Sequence, residues 1–432
     1  MKTIIWESAS ARQRAQALAR PRQEDQVDLT KNVAAILYEV KSRGDKALQE
    51  FSVKFDGVSR KQFRVSAQEI KAAAASIDPA LRAAMKLAKA NIEKFHKAEY
   101  PKTIKVQTMP GVNCALHWRP IENVGLYIPA GTAPLFSSLL MLALPARIAG
   151  CKQISLCSPP QRDGKIHPAV LAAAHLCGIT DVFAVGGAQA IAAMAYGTVT
   201  VPKVHKIFGP GNRYVTKAKQ LVSQEVDGAA IDMPAGPSEV MVIADSSARP
   251  GWVAADLLAQ AEHDAQSQVI LVATDAAFAE RVQREVKIQL ALLPRCLIAA
   301  QSIAKSRIVL VPDRAAAIEV ANLYAPEHLI IHDKDAAAYL PKINNAGSVF
   351  LGAWTPESAG DYASGTNHVL PTDGHARACG GVTVLSFMKS MTVQSLTRQG
   401  LQNLAPSIIT MAEAEGLTAH AQAVKIRMGS AA

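Results

Sequence analysis

The sequence predicts an α/β protein: two parallel-sheet layers in tandem, followed by a helical C-terminal arm. Three observations carry this. Short apolar runs rich in Val and Ile recur along the chain, bounded by turn residues, as buried strands require. Alanine-rich stretches long enough for helices separate them, and that βαβα rhythm favours a parallel sheet with covered faces. The rhythm runs to about Ser238 and then starts again, although no repeat of fixed period accompanies it.

Taken in order, the first 119 residues read mostly as amphipathic helices. One spans about Leu29 to Phe55 and breaks at Gly44. Another runs from Pro79 to about Ala98, with Asp78 as its N-cap and proline in its first position. Short strands fit 105–109 and 114–119. The first layer takes strands at 154–157, 182–185 and 204–208; the second at 240–244, 269–273, 307–311, 328–332 and 348–351. From about Met391 the tail reads as helical, ending in the segment that carries Glu415 and His420.

At 432 residues, 49% hydrophobic and only 19% charged, the chain is long and apolar enough for two or more packed cores and is no disordered segment. Its net charge of +10 lies wholly in residues 1–120, with 22 Lys+Arg against 12 Asp+Glu; the remaining 24 and 24 cancel. Those basic residues are dispersed along helix faces and few aromatics interleave them, so a solvated surface is expected and no nucleic-acid partner. The six cysteines form no Cys-x-x-Cys and several sit in apolar runs, as reduced fillers of a cytoplasmic protein do. No apolar run suits a secretory signal or a membrane span.

Several polar pairs stand out against this apolar background. Gln260 and His263 lie three apart near the end of the helical run from Trp252, where an amide oxygen and an imidazole can reach one metal ion. Such a pair is also the ordinary polar face of a helix. Glu327-His328 follows Pro326, and an acid beside a histidine suits proton transfer; it also suits a helix start. Asp361 after Gly360 fits a ligand or a turn, and His420 a ligand or a surface helix. Gly209-Pro-Gly-Asn212 falls at a strand-to-helix junction whose N–H groups can face a cofactor. No Gly-x-Gly-x-x-Gly fingerprint follows an early strand.

Taken together and in order, the segments resemble the histidinol dehydrogenase family. They are Tyr127-Ile-Pro-Ala-Gly-Thr-Ala-Pro, Val185-Gly-Gly-Ala-Gln189, Phe208-Gly-Pro-Gly-Asn212 and Ile231-Asp-Met-Pro-Ala-Gly-Pro-Ser238-Glu. They continue through Gln260 to His263, Ala325 to Leu329, Glu357 to His368, and Leu417-Thr-Ala-His420. The resemblance runs over roughly residues 25–425.

The resemblance implies two tandem incomplete Rossmann-like domains: residues 26–128 with 239–380, and residues 129–238, between an N-terminal segment 1–25 and an arm 381–432 exchanged between the subunits of a homodimer. It implies oxidation of L-histidinol to L-histidine through histidinaldehyde with two NAD+. Glu327 and His328 would be the acid–base pair, and Gln260, His263, Asp361 and His420 the ligands of one Zn2+ per subunit, with His420 from the partner. Tyr127, Gln189 and Asn212 would contact NAD+, and Ser238, His368 and Glu415, with His328 and the zinc ligands, the substrate. The rival is a related zinc- and NAD-dependent alcohol dehydrogenase acting on another small polar alcohol, such as a sulfonated diol. One departure is Ala130, where relatives often carry glycine; a positive φ there would cost an alanine about 1 kcal/mol.

Overall fold

Five parallel strands form one sheet, in the spatial order Asp181–Ala184, Gln153–Ser158, Asn123–Tyr127, Lys206–Phe208, Ala230–Ile231. Six parallel strands form the other, in the order Lys2–Ile5, Arg307–Leu310, Gln268–Ala273, Glu239–Ala244, His328–His332, Ser348–Leu351. This computed structural model describes residues 1–21, 26–60, 62–130, 134–234 and 236–429. Residues 131–133 and Ala235, which fall within two of the family-like segments, lie outside the described residues.

Apart from the edge strand Lys2–Ile5, each sheet begins at its middle. The chain enters the first at Asn123–Tyr127, adds two strands on one side, then returns to add Lys206–Phe208 on the other. The second does the same, with Glu239–Ala244 and His328–His332 as the neighbours between which the direction reverses. Such reversals leave a crevice at the strand ends where ligands bind in open α/β sheets. Both sheets bury both faces: Glu239–Ala244, Gln268–Ala273 and His328–His332 are buried at every residue. That is why they read as continuous apolar runs.

The helices expected at 29–55 and 79–98 form as Gln26–Arg43, Asp45–Phe51 and Pro79–Ala98, with Asp78 accepting from the N–H groups of Ala80 and Leu81. Their placement differs from the expected division, which grouped residues 26–128 with the six-stranded sheet. Val33, Ile36, Leu37 and Val40 share a core with Ile191, Met194 and Val215, and Ile70, Ala88 and Ile92 one with Leu140 and Leu171. They therefore cover the five-stranded sheet. Asn123–Tyr127, assigned to the same discontinuous domain, is that sheet's central strand, and Lys2–Ile5 edges the six-stranded sheet through Arg307–Leu310. Amphipathic periodicity marks which face of a helix is buried but not which sheet buries it.

The tail corrects a second expectation. Met388–Leu396 is a strand, antiparallel to Val112–Pro120, which pairs in turn with Ile104–Met109. Met391, Thr392 and Val393 suit that extended backbone. Only then do the helices Arg398–Ala414 and Thr418–Arg427 follow. Among the described residues no helix is long and apolar enough to cross a membrane, and all six cysteines are free.

Candidate active site

Glu327 and His328 stand at the start of a strand, not at the start of a helix. The helix Arg314–Tyr324 ends at Ala325, whose φ of 54° is left-handed, and Pro326 and Glu327 then lead into His328–His332. Both side chains are buried and both turn to the neighbouring strand. The N–H of Glu239 donates to Glu327 Oε2 at 2.8 Å, and His328 Nδ1 donates to the Glu239 carbonyl at 3.1 Å. Nδ1–H is thus occupied, and Nε2 has no hydrogen-bond partner among the described residues, 3.6 Å from Asp361 Oδ1.

Three carboxyl groups surround this ring. Glu327 Oε2 and Glu357 Oε1 lie 3.6 and 3.7 Å from Nδ1, and Asp361 faces Nε2. Burial lifts Glu327 to about 8 and takes Glu357 well above the ordinary carboxylate range. Burial also opposes charge on His328, but Glu357, Glu327 and Asp361 outweigh it and raise the ring's pKa. For Asp361, burial pushes upward, and His328, His368 and His263 pull it below its usual value. Three carboxyl groups around one ring favour positive charge there, as a protonated imidazole or a bound cation.

Glu357 and Asp361 sit four apart on the short helix Glu357–Tyr362, which puts both on one face. With His328 they offer three ligand atoms within 4.8 Å of one another. Gln260 is in the last turn of Pro250–Ala261, almost fully buried, its amide nitrogen against the Glu357 carboxylate. His263 lies one residue past the helix cap at Glu262, its N–H on the Gln260 carbonyl at 3.3 Å. Burial lowers its pKa, and the charges of Asp361 and His328 also act on it. The pair Gln260 and His263 is thus carried by a helix end and its closing turn, and it borders Asp361 and Glu357.

His368 joins the two units. Its Nδ1 meets the Asp361 carbonyl at 2.6 Å, and its Nε2 meets Ser138 Oγ at 3.0 Å on Phe136–Ala149, the helix that follows the Tyr127 loop. Ser238 immediately precedes Glu239. Glu415 and His420, by contrast, are exposed on the C-terminal helices, and this chain does not fold them into its own cluster.

Tyr127, Gln189 and Asn212 gather at the carboxyl ends of the other sheet's strands. Tyr127 ends the central strand, and its hydroxyl accepts from the N–H of Gly187 at 3.0 Å. Gln189 is buried in the first turn of Gly187–Tyr196, its Nε2 without a partner among the described residues. Asn212 caps Arg213–Val222, accepting from the N–H groups of Tyr214 and Val215. Between them Gly209, at φ 121°, lies so close that a Cβ would sit 2.1 Å from the Tyr127 carbonyl oxygen. This is the crevice of the strand reversal between Asn123–Tyr127 and Lys206–Phe208, the expected place for a dinucleotide. Ala130 is not at positive φ, which among the described non-glycine residues is confined to Ala325 and Asp373, so alanine is unstrained there.

Three residues of the cluster were not singled out by sequence reasoning: Glu357, Glu239 and Ser138. The Glu357…Asp361 spacing of four could have flagged the first. Nothing local marks the others. The thiols of Cys151 and Cys177 are pushed by burial to about 12, far from the thiolate that covalent catalysis needs.

Comparison with known proteins adds the following. The sequence model of the histidinol dehydrogenase family matches residues 18–428. The chain is 54% identical over 429 residues to the histidinol dehydrogenase of Escherichia coli, covering 99% of this chain and 98% of that protein. It is 52% identical to the Vibrio parahaemolyticus enzyme of the same name, over 428 residues and the same shares of each chain. The crystal structure of histidinol dehydrogenase from Elizabethkingia anophelis superposes with a TM-score of 0.96 at 49% identity, over 100% of this chain and 98% of that one.

Proposed function

Since the chain belongs to the histidinol dehydrogenase family and is an oxidoreductase of histidine biosynthesis, we propose that it oxidises L-histidinol to L-histidine through histidinaldehyde. One water and two NAD+ are consumed, and two NADH and three protons are released. The observation that carries this reading is the buried His328, its Nδ1 on the Glu239 carbonyl and its Nε2 beside Asp361 with no hydrogen-bond partner among the described residues.

His328 Nε2 is the ring atom free to take the alcohol proton, and later that of the hydrated aldehyde. Three carboxyl neighbours make the ring a stronger base than an ordinary histidine. Glu327, held by the Glu239 N–H and lifted to about 8, is poised near neutrality to accept a proton from the water that adds to the aldehyde. The closed, apolar strands behind both residues keep bulk water from the intermediate.

Gln260, His263 and Asp361, with His420 of a second copy, would hold one Zn2+. Two imidazoles, a carboxylate and an amide oxygen are a fitting donor set, and the excess of carboxylates in the pocket favours a cation. Bound there, zinc would supply a positive charge that fixes the substrate's imidazole and amino nitrogens, and NAD+ at Tyr127, Gln189 and Asn212 would supply the hydride acceptor. Ser238, His368 and Glu415 complete the substrate contacts, Glu415 facing its cationic groups. The exposure of Glu415 and His420 is what a homodimer with exchanged arms requires. The reduced cysteines suit the cytoplasm.

Limiting L-histidinol with excess NAD+ tests the reading by absorbance. Two NADH per histidinol are expected. One NADH would remove Glu327 from the water step, and none with zinc present would transfer the assignment to the related dehydrogenases of other small polar alcohols.

A further inference from the structure

The acid–base pair is gripped by backbone, and the backbone is itself gripped. Glu239 supplies both the N–H that holds Glu327 and the carbonyl that holds His328. Its side chain, 3% exposed, forms a two-pronged ion pair with Arg20: Arg20 Nε donates to Oε1, and Nη2 to Oε2 at 2.8 Å. The same Nη2 donates to the Tyr324 carbonyl at 2.9 Å and reaches the Ala325 carbonyl at 3.4 Å. Those carbonyls belong to the left-handed corner that turns the chain from helix into Pro326-Glu327-His328. The guanidinium also lies 4.1 Å over the Tyr324 ring, whose hydroxyl donates to Gln268 Oε1; Gln268 in turn donates to the carbonyl of Ala19.

One guanidinium therefore ties together the two segments whose relative position sets the pair: the start of Glu239–Ala244, and the corner before His328. We infer that Arg20, acting through the Glu239 carboxylate and the 324–325 corner, is a positioning residue for Glu327 and His328. The inference rests on their proposed acid–base role. The planar fork is essential, because a lysine ammonium is a point charge that cannot hold two carboxylate oxygens and a peptide carbonyl in a fixed plane. Reacting groups displaced by about 1 Å lose on the order of 100-fold in rate.

The test compares Arg20→Lys, Glu327→Gln, His328→Gln and the double variant Arg20→Lys/Glu327→Gln, with folding followed by circular dichroism. Arg20→Lys should lower kcat by about 10- to 100-fold while KM for L-histidinol moves by less than about 3-fold. In the Glu327→Gln background the same change should lower kcat by a smaller factor than in the parent, because one of the two groups it positions is already gone. A residue needed only for stability would lower the melting temperature with kcat of the folded protein intact, or multiply its effect in both backgrounds. Either result overturns the inference. If Glu327→Gln and His328→Gln keep full kcat, the acid–base reading falls and this inference with it; if they lose kcat and Arg20→Lys does not, only this inference falls. Should Arg20→Lys fail to fold, Glu239→Gln, which keeps an acceptor for Arg20 and for the Asp373 N–H, must show the same split and the same non-additivity.

Discussion

Asp56 closes the turn Ser52–Asp56 with one carboxylate oxygen, Oδ2, buried and meeting no donor among the described residues. Burial alone lifts its pKa from 3.8 to about 6. At about 1.4 kcal/mol per pH unit that difference corresponds to about 3 kcal/mol. The group is partly open to solvent, and screening reduces this to about 1–2 kcal/mol. The sign follows from the order of the two values. Below 3.8 the folded and unfolded chains both carry the proton and nothing is lost. Between 3.8 and about 6 the unfolded chain gives it up first, so native stability falls with rising pH, and above 6 the loss is complete. Asp56→Asn removes the charge and should leave the variant level with the parent near pH 3, ahead by only part of the gain at pH 4.5, and more stable by about 1–2 kcal/mol at pH 7.5. At about 1 °C per kcal/mol for a chain of this length the melting temperature rises by about 1–2 °C. Scanning calorimetry of both proteins across pH 4.5 to 7.5 reads this directly. No gain at pH 7.5, or the same gain at both ends, refutes the reasoning.

Two further outcomes follow from the same kind of accounting. Lys219 and Asp232 form a buried pair at 2.5 Å, and between them they hold the carbonyl and the N–H of Gly209, each at 2.8 Å. Lys219→Met leaves a buried carboxylate and should destabilise the protein by about 3–5 kcal/mol in urea titration, with weaker NAD+ binding by calorimetry. For the arm, His420→Ala and His263→Ala subunits, each inactive alone, should form heterodimers with one intact site of two. Random co-assembly then restores about a quarter of parental activity, and no recovery would place His420 in its own subunit's site.

Eight strands of the two layers were legible because they are apolar runs buried in a sheet, such as Val269-Ile-Leu-Val-Ala, whereas Lys2–Ile5, Asn123–Tyr127 and Ala230–Ile231 were not read as strands. The 79–98 helix was legible from its cap and proline. The Met388–Leu396 strand was not. Eight of its nine residues are exposed in this chain, so no apolar run announces it, and the short alternation of Met391 and Val393 fits either structure. The packing of the N-terminal helices was equally hidden, since Ile92 looks the same against either sheet. Of the site, the motif residues could be named, but the groups that hold them could not. Glu239 acts through its peptide N–H and carbonyl, which every residue has, and Arg20 lies 219 positions from its partner.

The location of the proposed acid–base pair explains how two adjacent residues can serve one pocket. Along a strand, neighbours point to opposite faces, so a Glu-His pair inside one would be split. Here His328 is the first residue of its strand, in register with Val240, and Glu327 lies just ahead of the pleat, behind a left-handed Ala325. At that edge the peptide groups of Glu239 are free to hold side chains, and Glu327 and His328 take one each. The residues proposed to contact the cofactor use the opposite device, the carboxyl ends of strands flanking a reversal. The proposed chemical centre at strand starts of one sheet and the proposed dinucleotide crevice at strand ends of the other can meet only if the sheets are docked across a shared boundary. The His368 ring, bonded to Asp361 on one side and Ser138 on the other, lies on that boundary.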